Sequence, residues 1–324
     1  MDSRTRILNT LNFDSVDRIA HFESMFELEK EAFGLSFPKQ EDWANFSAIE
    51  RERAFDQTME IYSHIIDHYQ WDALAVYNPW EDVEAVRLAV KNFGRQIFVG
   101  GMVGHSTHSI ESVTDWEEFA YQIFDDRPAL HAKAELMCQK AFLLIRSYAE
   151  AGADFVYVPN DIAFNAGPFV SPEVLDELVF PYLKQQVDYA KSLGLKVFLH
   201  TDGEITSILE RFISMEAHCL QSIDPMAGVD IGEVKAKTHG KLALMGNVQC
   251  SLLQDGPLEA IEQSAKYSLE SASPGGGYIF SSSNTIFDGL PLSNYEYMVS
   301  LLREFNQNYQ FSAYDAKEQK GEKS

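Results

Sequence analysis

The sequence predicts an α/β chain folded as a single (β/α)8 TIM barrel, with an insertion after strand one covering the C-terminal mouth. Three observations predict it. Apolar runs of strand length recur about eight times, and longer amphipathic helical patterns separate them. Strands that alternate with helices pair in parallel through right-handed crossovers, and eight such units close into a barrel. No break in composition marks a second domain across 324 residues, a length that barrels reach as one domain. A doubly wound open sheet is the other architecture this alternation allows. The barrel is expected over 1–311, and SAYDAKEQKGEKS (312–324) reads as a disordered polar tail.

The strands are expected at RIAHFE (18–23), DALAVY (72–77), QIFVGG (96–101), DFVYVP (154–159), KVFLHT (196–201), CLQSID (219–224), LALMGN (242–247) and GYIFSS (277–282). The segment between the first two, about 24–71, is the expected insertion and ends in a long amphipathic helix over 48–69. A second long helix, 127–152, stops at a glycine, a common helix terminator. The helix 171–194 opens with Ser171 as N-cap and Pro172 in its first turn, and Pro181 should kink or split it. A helical pattern is expected directly after HTDG, with Thr201 and Glu204 spaced as a capping box. PGGGY (274–278) precedes a strand, so it reads as a tight turn and not as a phosphate loop.

Composition narrows the function classes. The chain is 45% hydrophobic and carries 49 acidic against 26 basic residues, a formal charge of -23. Phosphate backbones and anionic membranes repel such a surface, so neither nucleic acid nor lipid is expected as a partner. No apolar run approaches the roughly 18 residues of a membrane span, and the N-terminus lacks a signal-peptide core. Three cysteines without a CxxC pair suggest a reducing compartment, and the protein is expected to be soluble and cytoplasmic.

The residues that follow each barrel strand face the active-site end. Here they are polar on nearly every strand: His21 and Glu23, Asn160 and Asp161, His200 and Asp202, Asp224, Asn247, and Ser281 to Asn284. His200, Asp202 and Asp161 are the candidate catalytic residues. Asn160, Phe164, Asn284, Asp224, Glu23 and Asn247 are the candidate substrate-binding residues. His105 and His108 after strand three have a weak metal-ligand spacing, and loop histidines without metal are commoner. Cys250, just beyond strand seven, is a minor candidate.

The run GPFVSPEVLDELVFPYLKQQVDYAKSLGLKVFLHTDGEITSILERFISM, continued by IDPMAGVDIGEVKAKTHGKLALMGNV, resembles the uroporphyrinogen decarboxylase superfamily. SRTRILNTLNFDSVDRIAHFE and GGGYIFSSSNTIFDGLPLSNYEYMVSLLREF resemble its first and last units. The resemblance implies a (β/α)8 barrel and one of two chemistries. One is cofactor-free decarboxylation of uroporphyrinogen. The other is methyl transfer between a corrinoid protein and a small acceptor, with zinc activating the nucleophile. The decarboxylase's arginine-rich segment after strand one is replaced here by HFESMFELEKEAFG, with four glutamates and no arginine. Carboxylates of a polyanionic tetrapyrrole need such cations. The zinc methyltransferases' His-x-Cys after strand five is His200-Thr201-Asp202 here, and their cysteine after strand eight is Asn284. The resemblance therefore implies His200, Asp202 and Glu23 as ligands of a divalent metal, zinc or a harder ion. The expected function is a corrinoid-linked methyltransferase or demethylase component acting on a small methylated compound. The alternatives are a decarboxylase of uroporphyrinogen or a smaller acid, and a non-catalytic barrel that binds a ligand or a corrinoid protein. The implied partners are a small-molecule substrate, a corrinoid protein that supplies the corrinoid, and a second copy in a homodimer.

Overall fold

The computed structural model describes residues 1–312, so the predicted tail from Ala313 onward lies outside the described residues. Eight parallel strands form the barrel: β1 (Ala20–His21), β2 (Ala73–Val76), β3 (Phe98–Met102), β4 (Phe155–Pro159), β5 (Lys196–Thr201), β6 (Cys219–Ser222), β7 (Ala243–Val248) and β8 (Tyr278–Ser282). They lie in the order β1-β8-β7-β6-β5-β4-β3-β2, and every pair is parallel. The remaining seam, between β1 and β2, is joined by the Asp72 N–H, which donates to the His21 carbonyl at 2.8 Å. All eight sequence-predicted strands are present. The first is shorter than RIAHFE, because only Ala20 and His21 pair with β8 before the chain leaves the barrel.

Asp72 secures that seam. Its carboxylate is fully buried and accepts from Arg6 at 2.6 Å, from both Arg18 terminal nitrogens at 2.8 Å, and from the His21 N–H at 3.0 Å. A buried charge is tolerated when it is paired and hydrogen-bonded in this way.

The interior is filled by aromatic rings. Phe22 lies 6.2 Å from Phe155 and 5.9 Å from Phe198, centroid to centroid. Phe155 is also 4.8 Å from Phe198 and stacks on Phe98 at 5.6 Å. These residues come from strands on different sides of the barrel, so they meet only through its centre. Side chains two residues further along a strand point to the same face. On β4 and β5 that next layer is Tyr157 and His200, which places the polar site directly above a dry aromatic plug.

The helices follow the sequence with two exceptions. Ala48–Tyr69 and Arg127–Glu150 form as expected, and the 171–194 pattern splits into Pro172–Leu178 and Phe180–Ser192, with Pro181 in the first turn of the second part. Ser171 caps the first part through the Val174 N–H. The first exception follows HTDG, where the helix starts only at Leu209 and the capping box does not form. The Thr201 hydroxyl instead accepts from the Ile162 N–H at 3.0 Å, tying β5 to the loop after β4. The second is a two-residue hairpin, Ala163–Phe164 with Gly167–Pro168, in the loop after β4. Residues 25–40 pack on the rim where β2 and β8 end. Phe26 bridges Ile286, the Tyr77 hydroxyl donates to the Phe26 carbonyl at 2.8 Å, and the Trp80 N–H donates to Gln40 at 2.9 Å. No helix among the described residues is long and apolar enough to cross a membrane.

The seam makes a direct prediction. Asp72→Ala removes the fully buried carboxylate shared by Arg6, Arg18 and the His21 N–H, and leaves Arg6 only its pair with the more exposed Asp17. Breaking a buried pair in this way costs about 3–5 kcal/mol, which thermal unfolding at neutral pH will read as a large drop in Tm.

Candidate active site

Three side chains converge at the C-terminal ends of β4 and β5. His200 is the fifth residue of β5, Asp202 follows that strand, and Asp161 lies two residues beyond β4. His200 Nε2 is 3.4 Å from Asp161 Oδ1 and 3.9 Å from Asp202 Oδ1. One ligand atom from each of the three lies within 4.8 Å of the others. Side-chain exposure is 10% for His200 against 24% and 25% for the two aspartates, so the cluster is framed by protein and reachable from the mouth.

Each member is held from behind. His200 Nδ1 hydrogen-bonds Gln221 Oε1, which also accepts from the Tyr157 hydroxyl at 2.8 Å. The Gln221 amide nitrogen faces the carbonyls of Ser282 and Asn284, both at 3.4 Å, so its oxygen is the end that faces the histidine. Nδ1 therefore carries a hydrogen, and Nε2 is the nitrogen presented to the aspartates. Asp202 accepts from the Ser222 hydroxyl at 2.7 Å and from the Asn284 amide. The Asp202 N–H donates to Asp161 Oδ1 at 2.9 Å.

The turn itself needs a glycine. Gly203 has φ +89°, and a Cβ there would lie 2.3 Å from the Ala163 carbonyl oxygen. Its N–H donates to Asp224 at 3.3 Å, and Asp224 also takes the Met226 N–H at 2.9 Å.

Electrostatics bind the cluster together. Burial works against a charged His200, but the charge of Asp202 and the hydrogen bond and charge of Asp161 outweigh it and raise the imidazole to about 9. Burial likewise pushes Asp161 up, yet its bond to His200 and the imidazolium charge hold it below the usual carboxylate range. Asp202 is raised, by burial first, an effect that His200 only partly offsets. Two carboxylates facing one nitrogen require a positive charge between them, and in the metal-free chain the Nε2 proton supplies it.

A family model described as uroporphyrinogen decarboxylase (URO-D) matches residues 56–305. The chain belongs to the uroporphyrinogen decarboxylase family. The uroporphyrinogen decarboxylase of Anaeromyxobacter dehalogenans (strain 2CP-C) is 27% identical over 243 residues, which is 72% of this chain and 67% of that protein. That of Pseudoalteromonas atlantica is 26% identical over 241 residues, covering 70% of this chain and 64% of the relative. The matched region thus spans about two thirds of these relatives. A methyltransferase from Methanosarcina mazei superposes with a TM-score of 0.73 over 94% of this chain and 99% of that one, at 16% identity. That likeness shows a shared fold.

Within this family member, the expected site residues separate into two sets. His200, Asp202, Asp161 and Asn284 come together as described, and Asp224 supports them through Gly203. Asn160 lies behind the cluster: its amide nitrogen donates to the Ser106 hydroxyl at 2.8 Å, and its buried Oδ1 has no partner. Phe164 is 47% exposed on the hairpin, 6.1 Å from the Trp116 ring. Asn247 is not brought to the mouth. Its amide nitrogen donates to the Ile223 carbonyl and its oxygen accepts from Ser268, both at 2.8 Å, so one end ties β7 to the chain just after β6 and the other to the helix Leu258–Ala272.

Glu23, implied above as a metal ligand, is absent from the three-residue ligand group, where Asp161 stands instead. It is fully buried and accepts from the Ser282 N–H at 3.0 Å and the Ser282 hydroxyl at 2.7 Å. His21 is buried against the Phe280 carbonyl at 2.9 Å, and His108 against the Leu130 carbonyl at 2.9 Å. The three cysteines are free and buried.

Four residues of the site were not anticipated. Tyr157, Gln221 and Ser222 lie inside strands, where they read as barrel filling; inward parity with His200 signals a role for Tyr157 and Gln221, whereas Ser222 is out of that parity and reaches Asp202 from the irregular end of β6. Glu111 sits in the loop after β3, and its carboxyl is raised by burial and then by its contact with Asp161. The Ile110 N–H beside it donates to the Asp161 carbonyl at 2.8 Å. No short-range pattern marks it.

Glu23 yields a pH prediction. Burial raises its carboxyl from 4.5 to about 8, against the lowering effect of Ser282. The folded chain therefore holds a proton that the unfolded chain has already released between those values, and stability falls as pH rises through that window. Glu23→Gln removes this dependence. The variant should match the parent near pH 4.5 and exceed its Tm by a growing margin up to pH 8; an equal or lower Tm at pH 8 would contradict this origin of the shift.

Proposed function

We propose that this family member transfers a methyl group from a small methylated compound to a corrinoid presented by a partner protein. The observation that carries this reading is the convergence of His200 Nε2, Asp161 and Asp202 on one accessible point. An imidazole nitrogen with two carboxylate oxygens suits zinc or a harder divalent ion. The supports behind these groups are those a metal site requires: Nδ1–H held by Gln221, and Asp202 held by Ser222 and Asn284. Those three residues would hold the ion, which when bound would supply Lewis-acid polarisation of the oxygen or nitrogen that carries the methyl group.

The chain's own residues do the rest. Gln221 and Tyr157 fix the imidazole, and Asn284 and Ser222 fix the carboxylate of Asp202. Glu111, in contact with Asp161, would protonate the departing heteroatom. The carbon–heteroatom bond breaks, the methyl group passes to the acceptor, and the heteroatom leaves with that proton. Against the tetrapyrrole reading, the rim segment after β1 presents Glu27, Glu29 and Glu31 to its cleft and no arginine. Decarboxylation is the second reading, favoured by the names of the curated relatives; there His200 would protonate the carbanion.

The test is formation of methylcobalamin from cob(I)alamin and a panel of aryl methyl ethers and methylamines. Methylcobalamin should form with the parent chain. His200→Gln should lower kcat/KM by about 10²–10⁴, and Gln221→Met by about 10–100. Release of CO2 from uroporphyrinogen by the parent chain, without methyl transfer to cobalamin, would overturn the proposal.

A further inference from the structure

A second polar cavity lies apart from the His200 cluster. It has a volume of about 550 Å3 and sits between residues 25–40 and the loops after β2 and β8. That size is within the range of small-ligand pockets. Glu29 lines it and is 8% exposed. Its Oε1 accepts the Phe37 N–H at 3.0 Å, whereas its Oε2 has no hydrogen-bond partner. Asn78 lines the same cavity. Its amide nitrogen donates to the Pro38 carbonyl at 3.3 Å, and its Oδ1 is unpartnered.

Two enclosed acceptors that lack donors call for a ligand that brings hydrogens. The lining also settles the ligand's charge. Glu27, Glu31 and Asp288 join Glu29, against Lys30 and Lys39, and neither lysine bonds Glu29 Oε2. Burial, with smaller contributions from Glu27 and Glu31, raises the Glu29 carboxyl, as for a carboxylate short of a cation. Phe37 and Trp80 supply aromatic surface, which favours cations and the carbon atoms attached to them. The Tyr77 hydroxyl is already committed to the Phe26 carbonyl.

We propose that this cavity binds a small protonated amine, its N–H groups on Glu29 Oε2 and Asn78 Oδ1 and its carbons against Phe37 and Trp80. The amine must keep at least one N–H, because a quaternary ammonium would leave both acceptors unpaired. The inference does not depend on methyl transfer. The loop after β8 separates the two places, with Asn284 on Asp202 and Asp288 in the cavity wall.

Titration calorimetry of the full chain with n-propylammonium chloride tests it. Tetramethylammonium chloride, which has no N–H, and 1-propanol, which has no charge, are the controls at matched ionic strength. Saturable binding of propylammonium is expected, at least tenfold tighter than either control and at least tenfold weakened by Glu29→Gln. Because Glu29 is buried, thermal unfolding will confirm that this variant folds. The exposed Asp288→Asn should weaken binding about threefold, and if Glu29→Gln does not fold, it and the ranking of ligands decide the matter. No saturable binding, unchanged affinity in a folded Glu29→Gln, or tetramethylammonium binding as tightly as propylammonium overturns the proposal.

Discussion

One hydrogen bond, from His200 Nδ1 to Gln221 Oε1, decides what the mouth of this barrel offers a ligand. An imidazole has two nitrogens with opposite roles, and whatever fixes one assigns the other. Gln221 is itself fixed, by the Tyr157 hydroxyl on its oxygen and by two backbone carbonyls on its nitrogen. A flipped amide would set acceptor against acceptor at those carbonyls, which can only accept. The orientation therefore propagates outward, through His200, to the point where Asp161 and Asp202 meet Nε2.

The barrel makes this possible by register. β4, β5 and β6 run parallel side by side, with Pro159 opposite His200 and His200 opposite Gln221. Below them the phenylalanine layer excludes water, so the polar layer cannot sink and its groups must satisfy one another or face the mouth. At the β1–β2 seam a different solution operates. A fully buried aspartate gathers two arginines and a backbone N–H where formal strand pairing is missing. Polar and ionic contacts close the ring, and apolar packing fills it.

The fold was largely legible because eight apolar runs at barrel spacing are a strong signal, and every expected strand formed. The core of the site was legible for a related reason: strand ends in a parallel barrel share one side, so His200, Asp161, Asp202 and Asn284 could be grouped without knowing distances. The failures have physical causes. Asn247 is in the right place along its strand, but its side chain faces the helix layer, and sequence parity near a strand end is easily lost. Glu23 lies next to β1, yet it turns to Ser282 instead of the cluster. The capping box after HTDG did not form because Thr201 had a tertiary partner, Ile162, that local spacing cannot reveal. Glu111 was invisible because a loop residue's contact with Asp161 depends on the path of the whole β3–α connection.

The family carries a decarboxylase's name, and the methyl-transfer reading proposed above rests on the ligand set. The site lacks thiolates and arginines, but it brings one imidazole and two carboxylates to a single point with every outer contact in place. The most direct measurement is metal content after the purified chain is equilibrated with zinc and desalted, in the parent, His200→Ala and Glu23→Gln. The account predicts close to one divalent ion per chain in the parent and in Glu23→Gln, and loss of that ion in His200→Ala. A parent chain without metal, or one whose metal survives His200→Ala, would contradict it.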